Sequence, residues 1–238
     1  MARPNYHYQS IPKDFISKNL NEDRIRCEDN FVAIADGAGG TGIYCGEWAD
    51  FLLQNLPKKP IKKYADFYKW YLELQEPFLE VFDPKAAIDG HIKRRFSEEG
   101  SSSTLAVVWK LKDKYYWLCY GDSSLFFIKG DTYKSFPFQD STAFENSTHL
   151  LNLLQVPIEA HLKIGSIDAK DRTVILATDA LSKYIFKELE TNKAINEIAN
   201  TFYNILDTEH KFIDHLKQQN NLDEDDYSII CWQPNPFL

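Results

Sequence analysis

Five of the ten glycines in the chain, Gly37, Gly39, Gly40, Gly42 and Gly46, fall within ten positions. A segment that gives up side chains so densely needs backbone conformations closed to other residues, or room for something to approach its peptide groups. A plain strand-to-helix turn accounts for one or two of these glycines and not for five. Before the loop runs Phe31-Val32-Ala33-Ile34-Ala35, continuously apolar and ending in Asp36, as suits a strand buried on both faces. After it, Tyr44, Cys45, Trp48, Ala49, Leu52, Leu53 and Leu56 recur at helical spacing. Strand, glycine loop, helix is the local order that the rest of the fold has to accommodate.

Helical spacing returns at Tyr64, Phe67, Tyr68, Tyr71, Leu74, Phe78 and Phe82, and again at Ile88, Ile92 and Phe96. The period then changes. Residues 104–109, 114–120, 124–129 and 173–178 read as strands, with Gly121-Asp122 and Gly130-Asp131 as turns between them. Ala194 to Leu206 predicts another helix, extended by Phe212, Ile213 and Leu216, and residues 227–232 predict a closing strand. Strands cluster with strands and helices with helices, which favours an α+β class with antiparallel sheets over a Rossmann-type alternation. The 238 residues suit one large domain, and 44 % hydrophobic with 14 % aromatic residues excludes a disordered chain. A formal charge of −8 argues against a general nucleic-acid binder. No apolar run approaches the roughly 20 residues of a membrane span, and Met1 to Phe15 lacks the apolar centre of a signal peptide. Cys27, Cys45, Cys119 and Cys231 form no CxxC pair, so a reduced, cytoplasmic protein is expected.

Acidic residues recur at strand ends: Asp23 before a strand at 24–27, Asp36, Asp122, Asp179, and Asp225 with Asp226. An aspartate there is ordinarily a turn former or helix cap, but so many in one chain ask for a common cause. If residues 24–27 and 31–35 form a hairpin turning at Glu28-Asp29-Asn30, paired residue numbers sum to about 59 and Asp23 faces Asp36. Opposed carboxylates repel, and no Lys or Arg lies in the Ala33–Gly40 segment to offset them. A hard divalent cation, Mg²⁺ or Mn²⁺, would do so, since it takes carboxylate, carbonyl and water oxygens. The absence of a His/Cys cluster disfavours zinc.

In order, the chain contains Asn21-Glu22-Asp23, Asp36-Gly37-Ala38-Gly39-Gly40, Gly100-Ser101-Ser102-Ser103-Thr104, Gly121-Asp122-Ser123, Ala177-Thr178-Asp179-Ala180-Leu181 and Asp225-Asp226-Tyr227-Ser228. Singly these are common. As a series from about residue 18 onward they resemble the metal-dependent Ser/Thr protein phosphatases of type 2C, in a compact bacterial-type form. The resemblance implies a four-layer α-β-β-α sandwich with two central antiparallel sheets, one catalytic domain over 1–238, and a short flap-equivalent segment at about 131–160. It also implies a site for two Mn²⁺ or Mg²⁺ ions with room for a third. Asp36 resembles the carboxylate that bridges the metals, and the Gly37 carbonyl a ligand of one of them. Glu22, Asp23, Asp122, Asp179 and Asp225 resemble the other ligands, direct or through water. The implied reaction is hydrolysis of phosphoserine or phosphothreonine in proteins by a two-metal-activated water, with Asp36 and Asp23 as catalytic residues. The implied partners are a phosphoprotein substrate and a Ser/Thr kinase system, with no nucleic acid and no membrane, and the chain acting as a monomer.

Three positions depart from the family pattern. Lys18 stands where the family has a phosphate-gripping Arg and offers charge without a bidentate fork; Arg24 is a second candidate for substrate binding. Ala38 replaces a residue that is sometimes His, and Ala180 replaces the glycine of Asp-Gly-Leu, a position where only glycine's backbone freedom is expected to suit. These departures keep two alternatives open, a non-catalytic binding module with the same fold and a phosphatase of small metabolites.

Overall fold

A computed structural model describes residues 6–146 and 148–233. The chain runs β1 (Tyr6–Ile11), β2 (Arg24–Cys27), β3 (Phe31–Ala35), α1 (Cys45–Gln54), α2 (Tyr64–Ala86), α3 (Gly90–Glu99), β4 (Ser102–Ser103), β5 (Leu105–Leu111), β6 (Lys114–Tyr120), β7 (Ser124–Lys129) and β8 (Thr132–Phe136). It continues through β9 (Leu151–Asn152), β10 (Lys163–Asp168), β11 (Thr173–Ala177), α4 (Asp179–Glu190), α5 (Ile195–Ile205), α6 (Glu209–Leu216) and β12 (Tyr227–Trp232). One antiparallel sheet has the order β10-β6-β5-β3-β2, the other β1-β12-β11-β7-β8, and β4 pairs with β9 in a small third ladder.

Burial divides the core into three slabs, and their order is the layering. The inward alternation of β3 sends Phe31, Ala33 and Ala35 toward α1 and α2, where they meet Trp48, Leu52, Phe67, Tyr71 and Phe78. The opposite face of the same strand sends Val32 and Ile34 against Leu125, Phe127, Leu176 and Ile230 of the other sheet. That second sheet turns Phe126, Ile175, Ile229 and Cys231 outward, under Leu181, Ile185, Ile198, Phe202 and Phe212 of α4, α5 and α6. Helices, sheet, sheet, helices is thus the expected four-layer sandwich, and β3, fully buried on both faces, is the strand its unbroken apolar run implied.

The β2–β3 register pairs Arg24 with Ala35 and Ile25 with Ile34, a sum of 59, with the Glu28 amide closing the turn on the Phe31 carbonyl at 2.8 Å. Elsewhere the structure corrects the sequence reading. The expected helix through 194–216 is two helices interrupted at Leu206, Asp207 and Thr208. Ile88 lies ahead of α3 and is 88 % exposed, so only Phe96 of that expected apolar stripe is buried. Strands β1, β8 and β10 and helix α4 were not anticipated, and β1 extends the sandwich ahead of residue 18 by pairing along the whole of β12. No helix is long and apolar enough to cross a membrane among the described residues.

Candidate active site

Asp36 follows the last residue of β3, at the end of the sandwich where the glycine loop begins. Its amide donates to Thr104 Oγ1 at 3.0 Å and its carbonyl accepts from the Thr104 amide at 2.8 Å, so the residue between β4 and β5 fixes the peptide from which the carboxylate projects. Gly37 is equally constrained. Its amide reaches the Glu22 carbonyl at 3.2 Å, and it bridges to Ser103. A Cβ there would sit 2.6 to 2.7 Å from backbone atoms of Cys45 and Gly46 at the start of α1. Backbone cannot move aside cheaply, so Gly37→Ala is expected to destabilise the protein by about 2 kcal/mol or more through overpacking. Urea unfolding measures this, and an unchanged midpoint would contradict the packing.

The other carboxylates arrive at the same end from both sheets. Asp122 lies where the chain leaves β6 and crosses to β7. Its aim depends on Gly121, whose φ of 98° and close approach to Thr104 suit glycine. One Asp122 oxygen accepts from the Thr148 hydroxyl. Asp179 opens α4 directly after β11, and Asp225 and Asp226 precede β12. Ala180 occupies the first turn of α4 in ordinary helical backbone, donating its amide to Asp179 Oδ1 at 2.6 Å; the expected need for glycine there does not arise. Asp23 is only 3 % exposed, and its Oδ2 accepts from the Thr178 hydroxyl at 2.9 Å, a contact that ties the two sheets together beneath the cavity. Asp226, also buried, accepts from the Lys13 amide (3.0 Å) on one oxygen and the Glu22 amide (2.8 Å) on the other.

Glu22, Asp36, Gly37, Asp122, Asp179, Asp225 and Asp226 line one cavity of about 310 Å³ together with Ala38, Gly39, Gly40, Thr104, Thr148, Leu150, Leu20 and Lys13. Burial first, and then the charges of Asp23, Asp179, Asp122 and Asp225, hold the Asp36 carboxyl well above the usual carboxylate range. Burial and then Asp226 and Asp179 do the same to Asp23. Glu22 and Asp122 are raised chiefly by burial. Asp179 is pushed up to about 7 by burial, Asp122 and Asp225, although it stands at a helix N-terminus that favours a carboxylate. Burial together with mutual repulsion outweighs the helix dipole here, whose effect is at most about 2 kcal/mol. Among the described residues, no three His, Cys, Asp or Glu side chains are drawn into a ready-made metal cluster. The donor set is nonetheless one of hard oxygens whose charges oppose one another, which is the chemistry that fits a hard divalent cation.

The two residues expected to bind substrate stand elsewhere. Lys18 extends from a short 3₁₀ turn toward the start of α6 and pairs with Glu209 at 2.7 Å, its side chain 66 % exposed. Arg24 turns back along its own strand, donating to the Asn21 and Asp23 carbonyls at 2.7 and 2.8 Å, and lines an adjoining groove with Tyr44, Glu47 and Arg95. Neither is among the described residues of the cavity wall. Lys13 and Asp226 are there and were not anticipated as site residues. Lys13 belongs to no motif, since it reaches the cavity from the loop after an edge strand; Asp226 was visible only as the neighbour of Asp225.

The same sandwich is found in solved bacterial phosphatases. The fold aligns with a bacterial serine phosphatase at a TM-score of 0.60 and 14 % identity, covering 99 % of this chain and 100 % of that one. It aligns with the Mycobacterium tuberculosis serine/threonine phosphatase PstP at 0.58 and 15 %, covering 96 % and 97 %, and with the Staphylococcus aureus serine/threonine phosphatase Stp1 at 0.59 and 13 %, covering 98 % and 96 %. A further structure of the PstP catalytic domain is a complex with two manganese ions. No functionally curated protein matches the chain by sequence. The sequence model of the protein phosphatase 2C family matches residues 16–223, and the chain belongs to that family.

Proposed function

We propose that the protein is a Mg²⁺- or Mn²⁺-dependent phosphatase acting on phosphoserine or phosphothreonine in proteins. The observation that carries this reading is the gathering of six carboxylates from both sheets around one cavity, with Asp36 among them held above its usual range by burial and by its acidic neighbours. Asp36, Asp122, Asp179, Asp225, Glu22 and the Gly37 carbonyl would hold the cations, with Asp23 behind them. Bound there, two divalent cations supply Lewis-acid activation of water and neutralise charge on the phosphoryl group. The chain's own part is positional. The Thr104 contacts hold the Asp36 peptide, the Thr178 hydroxyl orients Asp23, and Asp226 joins the Glu22 loop to β12. The nearly side-chain-free loop from Gly37 to Gly40 would leave a phosphoryl group room to approach the cations the carboxylates hold, and Ala38 offers no proton to a leaving alkoxide.

The test is hydrolysis of a phosphothreonine peptide with Mn²⁺, with Mg²⁺ and with chelator, beside a small aryl phosphate. Turnover that needs metal and favours the peptide is expected. Preference for the small ester would favour a metabolite phosphatase, and a folded protein inert with every metal would favour a binding module.

A further inference from the structure

The six carboxylates around the cavity, when ionised, carry two more charges than two divalent cations bring, so a cation supplied by the chain itself would lessen the repulsion a phosphate monoester dianion meets there. Among the described residues of the cavity wall there is one basic residue, Lys13. The geometry points to Lys13 as the residue that binds the substrate's phosphate.

Its backbone is held in place from several directions. The Lys13 amide donates to Asp226 Oδ1 at 3.0 Å, and the other Asp226 oxygen takes the Glu22 amide at 2.8 Å, so Lys13 is referenced directly to the carboxylate wall. The loop behind it is closed by the Phe15 amide on the Pro12 carbonyl at 2.8 Å. Asp14 Oδ1 then collects the amides of Ile16 and Ser17 at 2.9 and 2.7 Å. Phe15, at a φ of 60°, stacks on Tyr227 with ring centroids 5.7 Å apart, which secures the loop against β12. An anchored main chain with an exposed, flexible ammonium is suited to meet a phosphate entering from solvent. The other candidates are committed elsewhere, Lys18 to Glu209 and Arg24 to two backbone carbonyls. The assignment uses the phosphatase reading only in taking a phosphate monoester as the ligand.

The experiment is calorimetric titration of inorganic phosphate into the Mg²⁺-saturated protein, wild type beside Lys13→Ala, Lys13→Arg and, as an equal charge change at the far end of β7, Lys129→Ala. Lys13→Ala is expected to weaken phosphate binding about tenfold or more, the scale of a lost hydrogen bond between charged groups. Lys13→Arg is expected to restore most of it and Lys129→Ala to leave it unchanged. The Mg²⁺ concentration that half-saturates the thermal shift is expected to be the same in wild type and Lys13→Ala, which a disturbance of the carboxylates would not allow. Equal phosphate affinity in Lys13→Ala and wild type overturns the assignment, as does a wild type that binds no phosphate or a loss matched by loss of Mg²⁺. Phosphate binding through Lys13 without phosphopeptide turnover would end the phosphatase reading and leave this one. Full turnover and phosphate affinity in Lys13→Ala would do the reverse.

Discussion

Asp36→Asn is expected to lower metal-dependent turnover of a phosphothreonine peptide by about 10³-fold, the scale lost when a central electrostatic group is removed from an active site, and at the same time to make the metal-free protein more stable. The two effects have one origin. Asp36 is buried and surrounded by Asp23, Asp179, Asp122 and Asp225, and its carboxyl is held above its usual range because charging it there, away from water and beside other acids, is unfavourable. Asparagine keeps the shape and can still accept from neighbours, but adds no charge to the cluster. In chelator its melting temperature should therefore exceed that of wild type, by about 2–4 °C for each kcal/mol relieved in a protein of this size. With saturating Mn²⁺ the order should invert if Asp36 is the central ligand proposed above, because a cation that binds the folded wild type stabilises it and the variant would bind it less well. Thermal melts of both proteins with and without Mn²⁺ are the measurement. A variant that is less stable in chelator would mean that Asp36 is not under the repulsion described.

The second large effect is the pH dependence of the metal-free protein. Asp179 is raised to about 7, and Asp23 and Asp36 are raised as well, so each has a folded-state value above its unfolded one. The unfolded chain releases these protons first. Their contribution to stability is therefore complete below the unfolded carboxylate range near pH 4 and is lost as pH rises through the folded values. In chelator the melting temperature is expected to fall by several degrees between pH 5 and 8, against the usual behaviour of salt-bridged carboxylates. Adding Mn²⁺ should raise it more at pH 8 than at pH 5, where protons compete for the same oxygens. A metal-free protein whose stability is flat or rising over this interval would show that the acids ionise freely.

Much of this arrangement is readable in the residues, and what is not readable has a pattern. Strands 114–120, 124–129 and 227–232 match to the residue because each is an apolar run stopped by Gly-Asp or by acids, with neighbours on both sides in its sheet. The unanticipated strands of the two large sheets, β1, β8 and β10, are all edges, and β4 and β9, also unanticipated, form a ladder of only two strands. An edge strand needs less apolar surface and is guarded by polar residues against stray pairing, so His7, Gln9 and Ser10, or Lys163 and Asp168, mask its period. The fourth edge, β2, was found only because its partner β3 and the turn between them set the register. The same cause hid Lys13, which extends from the loop that follows an edge strand. Asp36, Asp122 and Asp179 stand out in the sequence because they follow well-marked apolar strands. The direction in which Lys18 or Arg24 points depends on Glu209 or on carbonyls that only the folded chain brings near.

The carboxylates do not share a platform. Asp36 is carried by one sheet and Asp179 and Asp225 by the other, while Asp122 rides on the crossing between them. The mouth they form is therefore as wide as the filling between the sheets makes it, and that filling is Val32, Ile34, Ala106, Leu125, Leu176 and Ile230, none of which touches the cavity. These side chains act as a spacer. Trimming or enlarging them is expected to change the span between Asp36 on one sheet and Asp179 and Asp225 on the other, although no residue of the cavity wall is altered.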